Sequence, residues 1–498
     1  MSDPVKNHTE SEEKAYLQYI RDTLRESIES IDTRVTEQSH DLQQVREYLY
    51  EQKTGMDRME KLSVIQSIKT NALLGEAAVA RKEQLIRILD SPYFGRIDFQ
   101  ASGKKKAHAI YIGLYSFSQE QQTEPLIHDW RAPVSGMYYD HESGPASYLS
   151  PSGEIHGEIH LKRQYRIRKG QLEFMIDNVL SIHDEILQAE LARSSDERMK
   201  TIVSSIQRDQ NQIIRNESDR VLLIQGVAGS GKTSIALHRI AFLLYRQRKQ
   251  LKAEDVLIIS PNKVFADYIS NVLPELGEER VPETGMEELA GELLEARYKF
   301  ESFHEQMARL QDEKNNELAA RLRFKSGTDF LNKLEQYALH IDKHFFNEED
   351  FWVQRQFIPA WYLRERYEAW HRLPVFARIE AIAKDTEENI RFYNQYELSI
   401  PERKELREKI RAQFRFSRLR DAYSYFFTHI GQSAMLARAS RGRLEYADGV
   451  PMIFLKIKLE GIRKLRTVKH LLIDEMQDYT PVQCAVLSRI FPCRMTIL

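Results

Sequence analysis

The chain has 498 residues, 42% of them apolar, with a formal net charge of −2 at pH 7. That length suggests about three domains, and no apolar run reaches the roughly 18 residues of a membrane-spanning helix. Two cysteines, Cys484 and Cys493, exclude a disulfide scaffold, and Met1-Ser2-Asp3-Pro4 lacks the regions of a secretory signal, so a cytoplasmic setting is expected. With so little net charge, any nucleic-acid binding would need a local basic groove.

Residues 1–91 read as a helical arm. From Glu12 to Gln52 there is neither Gly nor Pro, and Leu17, Ile20, Leu24, Ile28, Ile31, Val35, Leu42, Val45 and Leu49 recur at steps of three and four, with Gln38 filling one gap. Thr54-Gly55 breaks the pattern. A second helix follows from about Met56 to Leu89, with Ile65, Ile68, Ala72, Val79, Ile86 and Leu89 as its stripe, interrupted by Gly75 and Lys82. Two long helices joined by a short break predict an antiparallel coiled-coil hairpin. A first helix roughly 60 Å long would protrude from any core; dimerisation through the same seam is the alternative. Asp57 and Glu60 stand near the tip. Acids there suit a metal or basic surface of a partner, or simply a solvated helix start.

Ser91-Pro92 stops the second helix, and a small β-rich domain is expected over 92–180. Ile110–Tyr115 and Glu154–Leu161 are strand runs, and Tyr165–Arg168, Lys169-Gly170, Gln171–Met175 reads as strand, turn, strand. His156 and His160 would share a strand face, but two histidines without a third ligand read as surface residues. A charged helical connector fills 181–205.

A first motor segment is expected at 206–266. Here Val221-Leu222-Leu223-Ile224 leads into Gly226-Val227-Ala228-Gly229-Ser230-Gly231-Lys232-Thr233, and Ile235, Leu237, Ile240, Ala241 and Leu244 then take helical spacing. Strand, glycine loop and helix together are the setting that makes G-x-x-x-x-G-K-[ST] a phosphate site. Glycines let backbone N–H groups turn towards phosphates, at the positive end of the helix dipole. Lys232 would reach the β- and γ-phosphates, and the Thr233 hydroxyl would ligate Mg²⁺. Val256–Ser260 is a further buried strand, ended by Pro261-Asn262.

Residues 267–465 are too long for a loop and read as a mostly helical insertion. Its aromatic groups, among them Trp352, Trp361, Trp370, Tyr423 and Phe426, could stack on bases, yet at helical spacing they read as core. The glutamate-rich stretch from Glu275 to Glu295 does not suit phosphate contact.

The last segment, 466–498, contains His470-Leu471-Leu472-Ile473-Asp474-Glu475-Met476-Gln477-Asp478. An apolar strand ending in two carboxylates places Asp474 to share the Mg²⁺ of Thr233 and Glu475 to orient or deprotonate water. Both halves together predict nucleotide hydrolysis rather than mere binding.

These residues resemble a known group. Gly226–Thr233 and Asp474-Glu475-Met476-Gln477-Asp478 look like motifs I and II of superfamily 1 helicases related to UvrD, and Val256–Asn262 falls where their motif Ia lies. The resemblance implies a RecA-like P-loop NTPase domain, ATP and Mg²⁺ as cofactors, adenine reading by Gln210, and nucleotide contacts from Gly226 through Thr233 to Ser234 and from Gln477. About 200 residues precede Gln210, and the arm, Tyr93–Phe99 and Asp129-Trp130-Arg131-Ala132-Pro133 look like the HelD group of RNA-polymerase-binding, helicase-like ATPases. That likeness implies a multidomain factor bound to bacterial core RNA polymerase and to DNA. Its arm would enter the secondary channel with Asp57 and Glu60 near the catalytic metal, and its insertion would enter the main channel. The alternatives are a UvrD-like DNA helicase in repair and a polymerase-binding scaffold with an inert motor. The chain ends at Met495-Thr496-Ile497-Leu498, where motif III would follow, so the expectation is a missing second motor domain, slow hydrolysis, and a last strand lacking sheet partners.

Overall fold

The computed structural model describes residues 9–51, 58–119, 124–177, 206–227, 229–261, 272–311, 316–462 and 468–498. The chain divides into two compact units: residues 1–218, 228–253 and 268–280 form one, and residues 219–227, 254–267 and 281–498 the other.

The first unit starts with helix α1 (Glu10–Glu51) and helix α2 (Arg58–Asp90). Leu17, Ile20, Leu24 and Ile31 bury in one cluster with Leu85 and Ile88, and Lys82 Nζ meets Asp32 Oδ1 at 2.5 Å. The expected stripe on α2 is corrected. Ile65, Ala72, Val79 and Ile86 face solvent, whereas the covered line runs through Val64, Ile68, Asn71, Gly75, Ala78, Lys82, Leu85 and Leu89. Positions three apart on a helix differ by about 60° in azimuth, so two adjacent heptad lines cannot both face α1. The line that does so carries the glycine and lysine that seemed to interrupt the seam. The side chains of Leu42, Val45 and Leu49 lie outside the described residues.

A six-stranded, largely antiparallel sheet follows, with β1 (Gly95–Ala101), β2 (His108–Gly113), β3 (His128–Asp129), β4 (Gly144–Ser150), β5 (Gly153–Arg168) and β6 (Gln171–Asp177). The β5–β6 hairpin turns at Lys169 (φ 47°) and Gly170 (φ 70°), the positive-φ pair that a two-residue hairpin with right-twisted strands needs. His156 and His160 are both exposed; His160 Nε2 lies 2.8 Å from Gln100 Oε1. Short helix α3 (Gly136–Asp140), α4 (Arg208–Arg215) and α5 (Lys232–Arg246) also belong to this unit, as do the described residues 272–280.

In the second unit β7 (Val221–Leu223), β8 (Val256–Ile259), β9 (Glu283–Thr284), β12 (His470–Ile473) and β13 (Arg494–Ile497) form a parallel sheet in the order β7-β13-β12-β8-β9. β8 and β12 are buried at every position, as near-continuous apolar runs in parallel sheets require. Two expectations fail here. β7 is an edge strand, paired among the described strands with β13 alone, and Val221 and Leu223, which share one face of it, are exposed. And β13 does not lack partners: it lies between β7 and β12, with Thr496 fully buried.

Helices of residues 286–459 surround a large apolar core, and a small hairpin of β10 (Phe351–Val353) and β11 (Gln356–Ile358) sits among them. The aromatic residues divide. Phe330, Tyr337, Tyr367, Tyr423, Phe426 and Phe427 are core, as the helical spacing predicts, but Trp352, Trp361 and Trp370 are exposed. No helix among the described residues is long and apolar enough to cross a membrane.

Candidate functional site

The parallel sheet brings several candidate residues to one edge. Its register aligns Leu223 with Ile497, Ile497 with Ile473, and Ile473 with Ile259. Ile224 N then donates to Ile497 O at 2.8 Å, Leu498 N to Ile473 O at 2.9 Å, and Asp474 N to Ile259 O at 3.0 Å. The chain therefore leaves β7 and β12 at the same carboxyl edge, two strand spacings or about 10 Å apart. This is where open α/β sheets place ligands. Gln225, Gly226 and Val227 are exposed just beyond β7, and Asp474 is buried just beyond β12.

Glu475 adopts φ 51°, a left-handed conformation that is uncommon for a non-glycine residue and recurs at functional sites. The turn around it is pinned: Met476 N donates to Leu498 O at 2.8 Å and Asp478 N to Glu475 O at 2.9 Å. Its carboxylate remains exposed and accepts from Gln477 Nε2. Tyr479, which sequence reasoning passed over, is half-buried. Burial first, and then the charge of Asp474, push its hydroxyl well above the ordinary phenol range.

In the other unit the glycine loop runs into α5. Gly229 and Gly231 both have φ 80°, with no atom within 4 Å of an added Cβ. Glycine is required there by backbone conformation rather than by crowding, and the loop stays open on that side. Gly231 caps α5, and the first helical bond runs from Ile235 N to Gly231 O at 3.0 Å. The helix start thus presents Lys232, Thr233 and Ser234 in its first turn, where backbone N–H groups and the dipole favour anions. Ala228 and Asp57 lie outside the described residues; Glu60 is on α2, but its side chain is likewise outside them.

Gln210 is the third residue of α4, and its Oε1 accepts from Gln207 N at 3.1 Å as half of a capping box. Arg239, buried on α5, donates to Ile213 O at 3.0 Å and to Asn216 O, so it caps the carboxyl end of α4. Arg215 on α4 donates to Trp130 O at 2.6 Å, and its Nε to Asn211 Oδ1 at 3.0 Å.

These bonds tie both helices to the Asp129–Pro133 turn. Arg131 forks onto Asp129 with two 2.8 Å contacts, stacks 4.6 Å over Tyr245 and pairs with Glu278. Burial pushes Glu278 up to about 7 against the pull of Arg131. Trp130, fully buried, meets the ring of His238 edge-on at 5.7 Å. His238 Nδ1 lies 2.6 Å from Ser234 O, which can only accept, so Nδ1 carries the proton. Burial pushes this imidazole down to about 4. Arg239 and His238 interrupt an apolar helix at inward positions, a signal the sequence carries but that the glycine motif overshadows.

Among the described residues no group of three or more His, Cys, Asp or Glu is arranged to hold a metal by itself. Within its own unit, Thr233 offers a half-buried hydroxyl in the first turn of α5, and in the other unit Asp474 offers a buried carboxylate; both are hard oxygens of the kind that suits Mg²⁺ rather than a soft metal.

Residues 206–498 match the family described as the UvrD/REP helicase N-terminal domain, and residues 10–197 match DNA helicase IV HelD, N-terminal domain. Comparison with curated proteins gives no match.

Proposed function

The chain belongs to the UvrD/REP helicase family and carries a HelD-type N-terminal domain, and from that premise we propose that it is an ATP-dependent factor that binds bacterial core RNA polymerase, removes DNA or RNA from stalled or post-termination enzyme, and so recycles it in the cytoplasm. The observation that carries the ATPase part is the common carboxyl edge of the parallel sheet, from which both the glycine loop and Asp474-Glu475 depart.

Mg²⁺-ATP, when bound, supplies the phosphoryl group to be transferred to water. The chain's own groups divide the remaining work. The N–H groups of Gly226 to Thr233 cradle phosphate, and Lys232 neutralises it. Thr233 and Asp474 hold the Mg²⁺, Gln210 reads the adenine after leaving its cap, and Ser234 and Gln477 line the nucleotide. Glu475 orients the attacking water and accepts its proton. The motor is a RecA-like domain in two segments, 206–266 and 466–498, interrupted by the insertion 267–465. Ahead of it the hairpin arm 1–91, the β-rich domain 92–180 and the connector 181–205 serve polymerase contact, with Asp57 and Glu60 presented at the arm tip.

Affinity capture with core polymerase tests this reading, followed by nucleic-acid release with and without ATP. Stable capture and ATP-stimulated release are expected. Failure of capture, with duplex unwinding on free DNA, would replace it by a repair helicase. Capture with release indifferent to ATP would leave a polymerase-binding wedge.

A further inference from the structure

The hairpin β10–β11 has an inner and an outer face of opposite character. Val353 and Ile358 bury in the core, while Trp352 and Phe357, directly opposite each other in the register, turn outward with ring centroids 4.9 Å apart. A two-residue turn, Gln354-Arg355, closes the hairpin. Asn394 Nδ2 bonds Gln356 Oε1 at 2.5 Å, which fixes beside the hairpin the end of helix Ala377–Tyr393. There Phe392 and Tyr393 are 77% and 73% exposed, and their rings meet edge-on at 5.1 Å. Trp361, three residues after β11, is 69% exposed.

Planar rings held open to water in this number are costly unless they have a partner. Two observations choose the partner. The exposed groups are aromatic planes rather than the aliphatic ridge that would seat a helix. The local charge balance also favours an anion. Arg355 at the turn and Arg391 beside Phe392 form no ion pair with a described residue, whereas Lys409, 2.5 Å from Trp352 O, is already paired with Glu405 at 2.7 Å. Three of the neighbouring carboxylates are engaged: Glu348 with Arg364, Asp350 on the Ala360 N–H, and Glu397 with Arg403.

We propose that the outer face of this hairpin, continued by Phe392 and Tyr393, is a platform for single-stranded nucleic acid, with bases stacking on the rings and Arg355 and Arg391 taking phosphates. Splayed bases present flat π-faces that such rings accept without sequence preference, and the flanking cations track the backbone. Paired bases inside a duplex do not offer those faces. The platform goes beyond the reading given above, since it needs neither ATP nor polymerase.

The test uses the 498-residue chain without nucleotide and a fluorescein-labelled oligothymidylate of about 16 nucleotides. Three of the four tryptophans are exposed in residues 352–370, and the fourth, Trp130, is buried elsewhere, so the part of the emission change that is lost in Trp352→Phe reports the platform. Binding with quenching is expected, weaker for a duplex of equal length. The double variant Trp352→Ala/Phe357→Ala should bind about 5- to 150-fold less tightly for each stacked base lost. Arg355→Ala and Arg391→Ala should each reduce the slope of log affinity against log salt by about 0.7. Phe303→Ala, an exposed ring outside the platform, should change nothing. Because all these side chains are exposed, unchanged melting curves will certify the folds. Unchanged oligonucleotide affinity in the double variant, absent quenching, or equal duplex binding would each overturn the proposal. A double variant that keeps its oligonucleotide affinity but loses polymerase capture would reassign the surface to a protein partner.

Discussion

Glu13 Oε1 on α1 accepts a 2.6 Å hydrogen bond from Arg96 Nη1 on β1, and neither side chain has any surface open to solvent. The same oxygen accepts from Arg163 Nη1 at 3.1 Å and Tyr165 Oη at 2.7 Å, while Asp98 forks onto Arg96 at 2.7 and 2.9 Å. The first helix is thus fastened to the antiparallel sheet by a buried carboxylate shared between two guanidinium groups. Removing one partner of such a network leaves uncompensated buried charge. Glu13→Gln should lower stability by about 3–5 kcal/mol, read as a shift in urea midpoint. A loss below about 0.5 kcal/mol, the level of an exposed pair, would show that the network is not closed to water.

His238 gives a pH signature. Its folded pKa, about 4, lies below the ordinary imidazole value of 6.5. A depressed pKa means that the unfolded chain binds the proton more tightly. The contribution is therefore complete above pH 6.5 and is lost as pH falls towards 4. Over that window the loss amounts to about 3 kcal/mol. Glu278, raised by burial to about 7, acts in the opposite sense, so the total profile mixes the two. Comparing the parent with His238→Phe isolates the imidazole: the variant should lose less stability between pH 6.5 and 4. Parallel profiles would show that His238 is not sealed against Trp130.

The parallel strands were legible from sequence because both their faces are buried, which leaves apolar runs such as Val256–Ile259 and Leu471–Ile473. Gly229 and Gly231 were legible because positive φ demands their residue type. The facing side of α2 was not. Its covered line includes Asn71, Gly75 and Lys82, whereas the neighbouring exposed line carries Ile65, Val79 and Ile86. Hydrophobicity alone selects the wrong line, since Lys82 is satisfied by Asp32. Nothing in the local sequence marks Glu13, Arg96 and Arg163 as buried, because their burial depends on three separate segments converging. The edge position of β7 was hidden for a related reason: Val221 and Leu223 have the composition of an inner strand, but pairing partners set strand order.

Glu475 is expected to affect turnover and not binding. Its carboxylate is exposed at a backbone position held by Met476 N and Asp478 N, so Glu475→Gln changes charge with little change in shape. The amide keeps hydrogen-bonding capacity but cannot accept the proton of an attacking water. Nucleotide affinity should stay within about twofold, while hydrolysis falls by about 10²–10⁴. Measuring both on one preparation separates the roles. Retained hydrolysis would remove Glu475 from the base position, and lost affinity would place it against the nucleotide instead.

Lys232 and Gly231 stand next to each other in the loop but should fail differently. Lys232 is half-buried in the first turn of α5, and its proposed work is one charge-assisted bond to phosphate, worth about 1.5–3 kcal/mol. Lys232→Ala should therefore weaken nucleotide binding by about 10- to 150-fold and shift the melting temperature of the nucleotide-free protein less than Gly231→Ala does. Gly231→Ala meets no steric obstacle, because nothing lies within 4 Å of the added Cβ, but it must hold φ 80°. The left-handed conformation costs about 1–2 kcal/mol for a residue with a Cβ, so this variant should lower the melting temperature as well as affinity. Isothermal titration with a non-hydrolysable ATP analogue, alongside thermal melts, distinguishes the two. Equal melting shifts in both variants would mean that Lys232 supports the loop rather than the nucleotide.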